Sequence, residues 1–286
     1  MATARRAAAG RPHRFARTLA ALAALVALVA GATLGAAPAG AQAFDHAPFD
    51  ALLRRHVANG LVDYDAFKAS PEFTTYLASL DRVDPARLSE RERLAYWINV
   101  YNAFTIRLVT DKNERESIRN INRSLGFLKL KGPWSDPVVR AGARRLSLDD
   151  VEHRIIRKEF KEPRIHFALV CAALGCPPLR SEAYTGARLD GQLDDQARLF
   201  LLRSPAKNRV DVAAGVVYWS MIFNHYDEDF GGTEASIGRY IARFHPPGAE
   251  RRLLESGKFT AKETEYDWRL NSRRAAGATA ARAPRR

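Results

Sequence analysis

The stretch SERERLAYWINVYNAFTIRLVT, residues 89–110, constrains the fold more than any other part of the chain, because it is predicted to form a long helix with apolar side chains around most of its circumference. Ser89 stands where an N-cap is expected. A helix that is apolar nearly all round lies in the centre of a domain. We therefore expect the rest of the chain to pack around this helix. One face carries Leu94, Trp97, Ile98, Tyr101, Thr105 and Leu108, and the apolar surface is widened by Ala95, Ala103, Phe104, Ile106 and Val109.

Two amides interrupt the apolar surface of this helix. Asn99 and Asn102 are three positions apart and so occupy neighbouring positions on one side. An enclosed amide needs partners, because leaving a buried polar group unpaired costs about 1–3 kcal/mol. Two interpretations stay open. The amides either bind neighbouring backbone or belong to a site, in which Asn102 would orient an imidazole as in papain-like Cys, His, Asn arrangements.

Shorter patterns predict the elements that surround the central helix. Ser70 and Pro71 mark the start of one capped helix. Turn signals at Ala141-Gly142 and Ala214-Gly215, each between apolar segments, predict two hairpins, and residues 261–271 supply a last strand. The sum is α+β: a mainly helical single domain packed on a small, largely antiparallel sheet.

The N-terminal residues 1–43 have the layout of a secretory signal peptide. Five arginines without an acid precede an apolar run, and Ala41-Gln42-Ala43 forms a small-x-small cleavage site. An uncleaved membrane anchor is the alternative, since the apolar run is just long enough to span a bilayer. We predict a periplasmic or secreted protein cleaved near Ala43, with one globular domain over residues 44–271 and a disordered basic tail over residues 272–286.

The charge distribution argues against a nucleic-acid partner. The whole chain has a formal net charge of +13, but residues 44–271 hold 35 of the 45 basic residues and all 32 acidic ones, a net charge of +3. The basicity therefore belongs to the two ends of the chain. We expect membrane contact only through the signal segment or the basic tail.

The stretch RIHFALVCAALGCPP, residues 164–178, contains both cysteines of the chain, Cys171 and Cys176, and His166. Three ligands at spacings of five, with no convincing fourth, do not favour a structural zinc site. An even number of cysteines in an exported chain favours a disulfide. The short segment between the two cysteines can form a turn that brings the Cα atoms close enough to bridge.

The third interpretation is a thiol enzyme with Cys171 as the nucleophile. Such a cysteine needs a base, and five residues on a strand or a helix place His166 and Cys171 on different faces. The distant candidates are His225, which is followed by Asp227 and Asp229, and His153 beside Glu152. A Cys171–Cys176 disulfide would leave no free thiol at either position.

A binding cleft is the alternative to catalysis. We expect its walls to come from the central helix (Trp97, Asn99), from His166, and from the segment that carries Trp219 and Asp229. Trp134 lies in a Gly- and Pro-containing loop, where an aromatic ring can line a cleft. The chain has no phosphate-binding glycine loop and no G-x-S-x-G elbow, so we predict no cofactor, and no metal.

Several stretches together resemble the domain-of-unknown-function 547 family: YWINVYNAFTI, RIHFALVCAALGCPPLR, AYTGARLDGQLDDQARLFL, WSMIFNHYDEDFG and YDWRLN. The resemblance extends over about residues 62–271 and implies an exported bacterial member of a family without an established activity. We predict a periplasmic binding or interaction module with an unknown ligand or protein partner. The rival hypothesis is a papain-like or transglutaminase-like thiol hydrolase or acyltransferase that uses Cys171 on a peptide or acyl substrate.

Overall fold

Helices dominate the computed structural model, which describes residues 43–121 and 132–274. The predicted signal peptide and most of the predicted basic tail therefore lie outside the described residues. A helix of π type, Asp150–Ile156, continues directly into the short helix Arg157–Glu159. The α-helices are α1 (Ala47–His56), α2 (Tyr64–Ala69), α3 (Pro71–Leu80), α4 (Glu90–Asp111), α5 (Arg157–Glu159), α6 (Leu189–Leu202), α7 (Ile222–His225), α8 (Glu234–Ala242) and α9 (Ala249–Ser256).

The long helix α4 is buried along most of its length, as its all-round apolar surface predicts. Its start is fixed by Ser89, whose Oγ accepts a hydrogen bond from the backbone N–H of Glu92. Helix α3 begins in the same way, because Ser70 Oγ accepts from the backbone N–H of Phe73 and Pro71 takes the first helical position. Both predicted N-caps are confirmed.

Within the described residues, the strands form three small sheets. The two predicted hairpins are present, and a third, shorter hairpin lies near the N-terminal end of the described residues. The last strand, Thr260–Glu263, pairs parallel to strand Val216–Trp219, which is possible because helices α7 to α9 form the crossover between them. The pairs are β1 (Val57–Ala58) with β2 (Leu61–Val62), β3 (Val139–Ala141) with β4 (Arg144–Leu146), and β5 (Arg209–Asp211) with β6 (Val216–Trp219), all antiparallel, followed by β7 (Thr260–Glu263). The predicted α+β class is confirmed.

Two clusters of buried apolar side chains make up the core. The larger one surrounds α4 and contains Trp97, and the smaller one gathers Phe167, Trp219 and Phe223 with residues of α6 and α8. Within the parts of the chain that the structure describes, we find no helix with the length and apolarity needed to cross a bilayer.

Candidate functional site

A cavity of about 330 Å³ opens where the two core clusters meet. Its lining comes from α4, the π-helix, the segment around the two cysteines, α7 and the C-terminal segment. Most of the wall is aromatic or aliphatic. The aromatic residues are Tyr101, Trp134, Tyr226, Tyr266 and Trp268, and the aliphatic ones are Leu169, Pro177, Met221 and Ile222.

One wall of the cavity is the disulfide that the sequence predicts. Cys171 and Cys176 are joined, with their Cα atoms 6.2 Å apart. Between them Ala172 adopts a left-handed backbone conformation, with φ of +65°, and this residue reverses the chain within the short loop. Neither sulfur is a free thiol in this structure. A nucleophilic or metal-ligating Cys171 therefore requires reduction of the disulfide.

The C-terminal segment lies against this loop and contributes two aromatic side chains. The backbone N–H groups of Leu174 and Gly175 donate to the carbonyls of Arg269 and Asp267, each at 2.8 Å. Gly175 permits the close approach, because a Cβ at this position would lie 2.7 Å from the Tyr266 ring. The Tyr266 hydroxyl then reaches the disulfide, 3.1 Å from Cys176 Sγ.

The π-helix places a buried carboxylate in the cavity. The start of the π-helix is fixed by two reciprocal hydrogen bonds between Ser147 and Asp150. Ser147 Oγ accepts from the Asp150 N–H at 3.0 Å, and the Asp150 carboxylate accepts from the Ser147 N–H at 2.9 Å. Glu152 is only 7% exposed and accepts a hydrogen bond of 2.6 Å from the Tyr226 hydroxyl. The hydroxyl of Tyr101 also interacts with this carboxylate. π-Helical turns are rare, and they often occur at functional sites.

The two tyrosines that face Glu152 are strong donors that keep their protons. Burial, and after it the neighbouring Glu152 charge, raises the pKa of Tyr226 and of Tyr101 well above the usual range. Glu152 itself makes no ion pair with any basic residue that the structure describes. The guanidinium of Arg157 senses its charge, but this group is bonded to Asp229.

His166 reaches the cavity from the 3₁₀ segment Pro163–Phe167. Its Nε2 lies 2.6 Å from Asp229 Oδ2, and its ring stacks on Tyr226 with centroids 3.9 Å apart. Arg157 Nε donates to the same Asp229 oxygen at 2.6 Å. The hydrogen bond with His166, and after it the one with Arg157, holds the pKa of Asp229 well below its usual range. The imidazole is thus held in one orientation.

The structure brings some of the candidate residues from the sequence together at this cavity. Cys171, His166, His225 and Trp134 all line it. His225, exposed at the end of α7, contacts Tyr226 edge-on with centroids 4.6 Å apart. Asp229 is not part of the lining but lies behind His166 as its hydrogen-bond partner.

The other candidate residues are placed in the supporting framework and do not line the cavity. Asn99 exchanges two hydrogen bonds with the backbone of Tyr184, at 2.7 and 3.0 Å. Asn102 donates to the Ala168 carbonyl at 2.9 Å and accepts from the Val170 N–H at 3.0 Å. Both amides therefore bind backbone, and Asn102 fixes the chain between His166 and Cys171.

Two predicted ligand-binding tryptophans are likewise core residues. Trp97 is 2% exposed and packs edge-on against Tyr96. Trp219 is 1% exposed, and its indole N–H donates to Asn224 Oδ1 at 3.1 Å. Their large apolar surfaces are buried in the two core clusters and do not reach the cavity.

The sequence reasoning missed several residues of the site. Glu152 was considered only as a neighbour of His153, although its spacing of four from Leu148 puts it on the apolar face of its helix, an unusual place for a carboxylate. Tyr226 is adjacent to the candidate His225. No local pattern marked the remaining three as site residues: Asp149, Tyr266 and Trp268.

Besides its tyrosines, the lining carries two carboxylates, Asp149 and Glu152, and three imidazoles, His153, His166 and His225. Over the described ranges 43–121 and 132–274, no three His, Cys, Asp or Glu side chains converge in a way that would hold a metal ion. The arrangement can bind an apolar molecule, accept hydrogen bonds at a buried carboxylate, and exchange protons at an imidazole.

Comparison with known families matches residues 85–201 to the family described as a protein of unknown function, DUF547. This range contains α4, the π-helix, His166 and both cysteines, and the resemblance seen in the sequence is confirmed over it. No curated protein and no solved structure matches the chain. The family description gives no activity, so function must be argued from the cavity.

Proposed function

We propose that the protein is an exported binding module that holds a small organic molecule in the cavity between the π-helix and the Cys171–Cys176 loop. The observation that carries the proposal is the cavity itself: about 330 Å³ with mostly aromatic and aliphatic walls and a few polar groups that converge on it. Ligand sites of proteins have volumes of roughly 300–1,000 Å³ and this same composition.

Two observations support export. The first 43 residues have the layout of a signal peptide. The second is the disulfide, because such bonds form and persist in oxidising compartments such as the periplasm. The cavity wall depends on this bond, since both sulfurs line it. A compartment that keeps the bond oxidised also keeps the cavity in the form described here.

A cavity-filling variant tests the proposal. Met221 lines the cavity and is partly buried, so Met221→Trp would occupy part of the volume, whereas Met221→Leu preserves the apolar surface and serves as the matched control. The probe is a library of small aromatic and aliphatic molecules that includes neutral, cationic and anionic members, screened by ligand-observed NMR against the purified protein.

We expect saturable binders that the Met221→Leu variant keeps and the Met221→Trp variant loses. Near-UV circular dichroism of both variants shows whether the fold is intact. The proposal is wrong if no compound of any charge class binds, or if the Trp variant binds the same compounds as the wild type.

A second candidate function is favoured by one observation: His166, held by Asp229, lines the same cavity as Cys171. After reduction of the disulfide, His166 would take the proton of the Cys171 thiol, and the thiolate would attack an acyl carbonyl carbon. The bond to the leaving group would break as the thioester forms, the leaving group would receive the proton from His166, and water would then hydrolyse the thioester to the acid and the thiol. Turnover of a p-nitrophenyl acyl ester that needs a reductant and is lost in Cys171→Ala, but kept in Cys176→Ala, would support this function. Without such turnover the binding function stands alone.

A further inference from the structure

We propose that the ligand of this cavity carries one protonated nitrogen on an apolar, mainly aromatic body, and that Glu152 is its counter-ion. The inference rests on the proposed binding function and names the chemical class of the ligand. It is carried by a buried carboxylate that has hydrogen-bond donors but no cation, in a cavity with aromatic walls.

The Glu152 carboxylate is surrounded by neutral hydrogen-bond donors. Two tyrosine hydroxyls, Tyr226 and Tyr101, face the carboxylate, and the bond from Tyr226 is 2.6 Å long. Both hydroxyls keep their protons because their pKa values lie well above the usual range. Glu152 therefore accepts hydrogen bonds from donors that bring no positive charge with them.

Glu152 has no positively charged partner among the described residues. Among the described residues, no Lys, Arg or His side chain forms an ion pair with Glu152, although the carboxylate is 7% exposed. A buried charge without a counter-charge is costly, and hydrogen bonds from neutral hydroxyls offset only part of that cost. The guanidinium of Arg157 senses the Glu152 charge, but it is bonded to Asp229. A cationic group on a ligand would supply the missing charge.

The charged side chains that line the cavity also favour a cationic ligand. Its described residues include two carboxylates, Asp149 and Glu152, and no lysine or arginine. The other titratable groups that face the cavity are the imidazoles of His153, His166 and His225. Of these, His153 Nδ1 lies 3.3 Å from a guanidinium nitrogen of Arg157, and His166 Nε2 lies 2.6 Å from Asp229 Oδ2.

The aromatic wall of the cavity favours a cation with an apolar body. Tyr266 and Trp268 have ring centroids 4.6 Å apart, and Trp134 lies 6.3 Å from Trp268. The faces of such rings attract cations, with Trp the strongest, and their surfaces cover an apolar body at the same time. Opposite charge at Glu152 and aromatic faces nearby form a combination that selects amines over neutral or anionic molecules of the same shape.

Matched ligands test the inference on the unmodified protein. The probes are 2-phenylethylamine, 2-phenylethanol and 3-phenylpropanoate, together with the corresponding indole series of tryptamine, tryptophol and indole-3-propionate. Affinities are measured by calorimetry or NMR titration near neutral pH. We expect the amine of at least one series to bind ten times or more tightly than its alcohol and its carboxylate.

A pair of variants locates the selectivity. Glu152→Gln keeps the shape and removes the charge, so it should lower the amine affinity at least tenfold and leave the alcohol affinity within about twofold, a tenfold loss corresponding to about 1.4 kcal/mol. Glu228→Gln is the matched control, because it removes the charge of an exposed carboxylate that does not line the cavity. It should change the amine affinity much less.

The outcomes separate this inference from the proposed function. Equal affinities within each series, preference for the carboxylates, or an amine affinity unaffected by Glu152→Gln would overturn the inference while leaving the binding function in place. Failure of both amines while other library compounds bind would have the same meaning. Absence of any binding across the library would count against the binding function itself.

Discussion

His166 Nε2 lies 2.6 Å from Asp229 Oδ2, and this hydrogen bond joins the segment that precedes the disulfide loop to the segment that follows α7. The same carboxylate oxygen accepts from Arg157 Nε at the end of the π-helix. One side chain thus ties together three of the segments that surround the cavity. Since the imidazole is also stacked on Tyr226, its orientation is fixed from two directions.

Replacing Asp229 by Asn should destabilise the protein in a pH-dependent manner. The pKa of Asp229 is depressed in the folded state, so its stabilisation is fully present above the unfolded-state pKa of about 3.9 and is lost as the pH falls below it. At pH 7 we expect Asp229→Asn to lower the free energy of unfolding by about 1–2 kcal/mol, a range that already allows for solvent screening of the partly exposed carboxylate. Below pH 4 the difference from wild type should be smaller. Urea unfolding at several pH values measures this. Glu228→Gln, an exposed neighbour, is the control, and a pH-independent difference would contradict the assignment.

Removing the Asn102 side chain should weaken the framework without touching the cavity. Asn102→Ala leaves the Ala168 carbonyl and the Val170 N–H without their buried partner. We expect a decrease of about 2–4 kcal/mol in the free energy of unfolding. Chemical denaturation measures the change, with Lys112→Ala at the exposed end of the same helix as the control. A loss below about 0.5 kcal/mol for Asn102→Ala would show that these bonds contribute little.

Loss of the disulfide should have a modest effect on stability and a large one on ligand binding. The bridge closes a loop of sequence separation 5, for which the chain-entropy model gives about 2 kcal/mol. The double variant Cys171→Ser, Cys176→Ser should unfold at a correspondingly lower denaturant concentration and bind library compounds more weakly, since both sulfurs line the cavity. Mass spectrometry of alkylated wild-type protein should first show no free thiol. Unchanged binding in the double variant would mean that the loop keeps its shape without the bond.

The amine of Lys207 provides a test at alkaline pH. Burial lowers the pKa of Lys207 to about 8, while its Nζ donates to the Cys176 carbonyl next to the disulfide. The unfolded chain keeps this proton to about pH 10.4, so between pH 8 and 10.4 the unfolded state binds more protons and wild-type stability should rise with pH. Relative to Lys207→Met, which has no titrating group, wild type should gain up to about 3 kcal/mol across this range. Denaturant unfolding at pH 7.5, 9 and 10.5 measures the difference. A constant difference would show that the amine titrates normally.

Features encoded by neighbouring residues were predictable from the sequence. Ser70 and Ser89 cap helices because a side-chain oxygen needs only the next turn of backbone, and the two hairpins follow from short turn signals. The disulfide was predictable for the same reason, since its two cysteines are only five positions apart in the chain. The need of a buried Asn102 for hydrogen-bond partners followed from physical cost, but the sequence left open whether those partners are backbone groups or belong to a site.

The parts of the site that depend on long-range pairing could not be read from the sequence. Glu152 and Tyr226 are 74 positions apart and meet only because the π-helix lies beside α7. Tyr266 and Trp268 reach the cavity because the C-terminal segment lies against the disulfide loop, and no local periodicity records that contact. Trp97 and Trp219 were predicted to line the cleft, but they lie in the core. The sequence could not distinguish the two places, because a large apolar ring is equally suited to a core and to a cleft.

The central claim, that this cavity holds a small molecule, is tested most directly by a crystal structure of the protein with the tightest library binder. We expect density for the molecule inside the cavity, between Trp268 and Glu152, with a nitrogen of the ligand within hydrogen-bond distance of the carboxylate. Density for the molecule only on the outer surface, with the cavity unchanged, would contradict the claim.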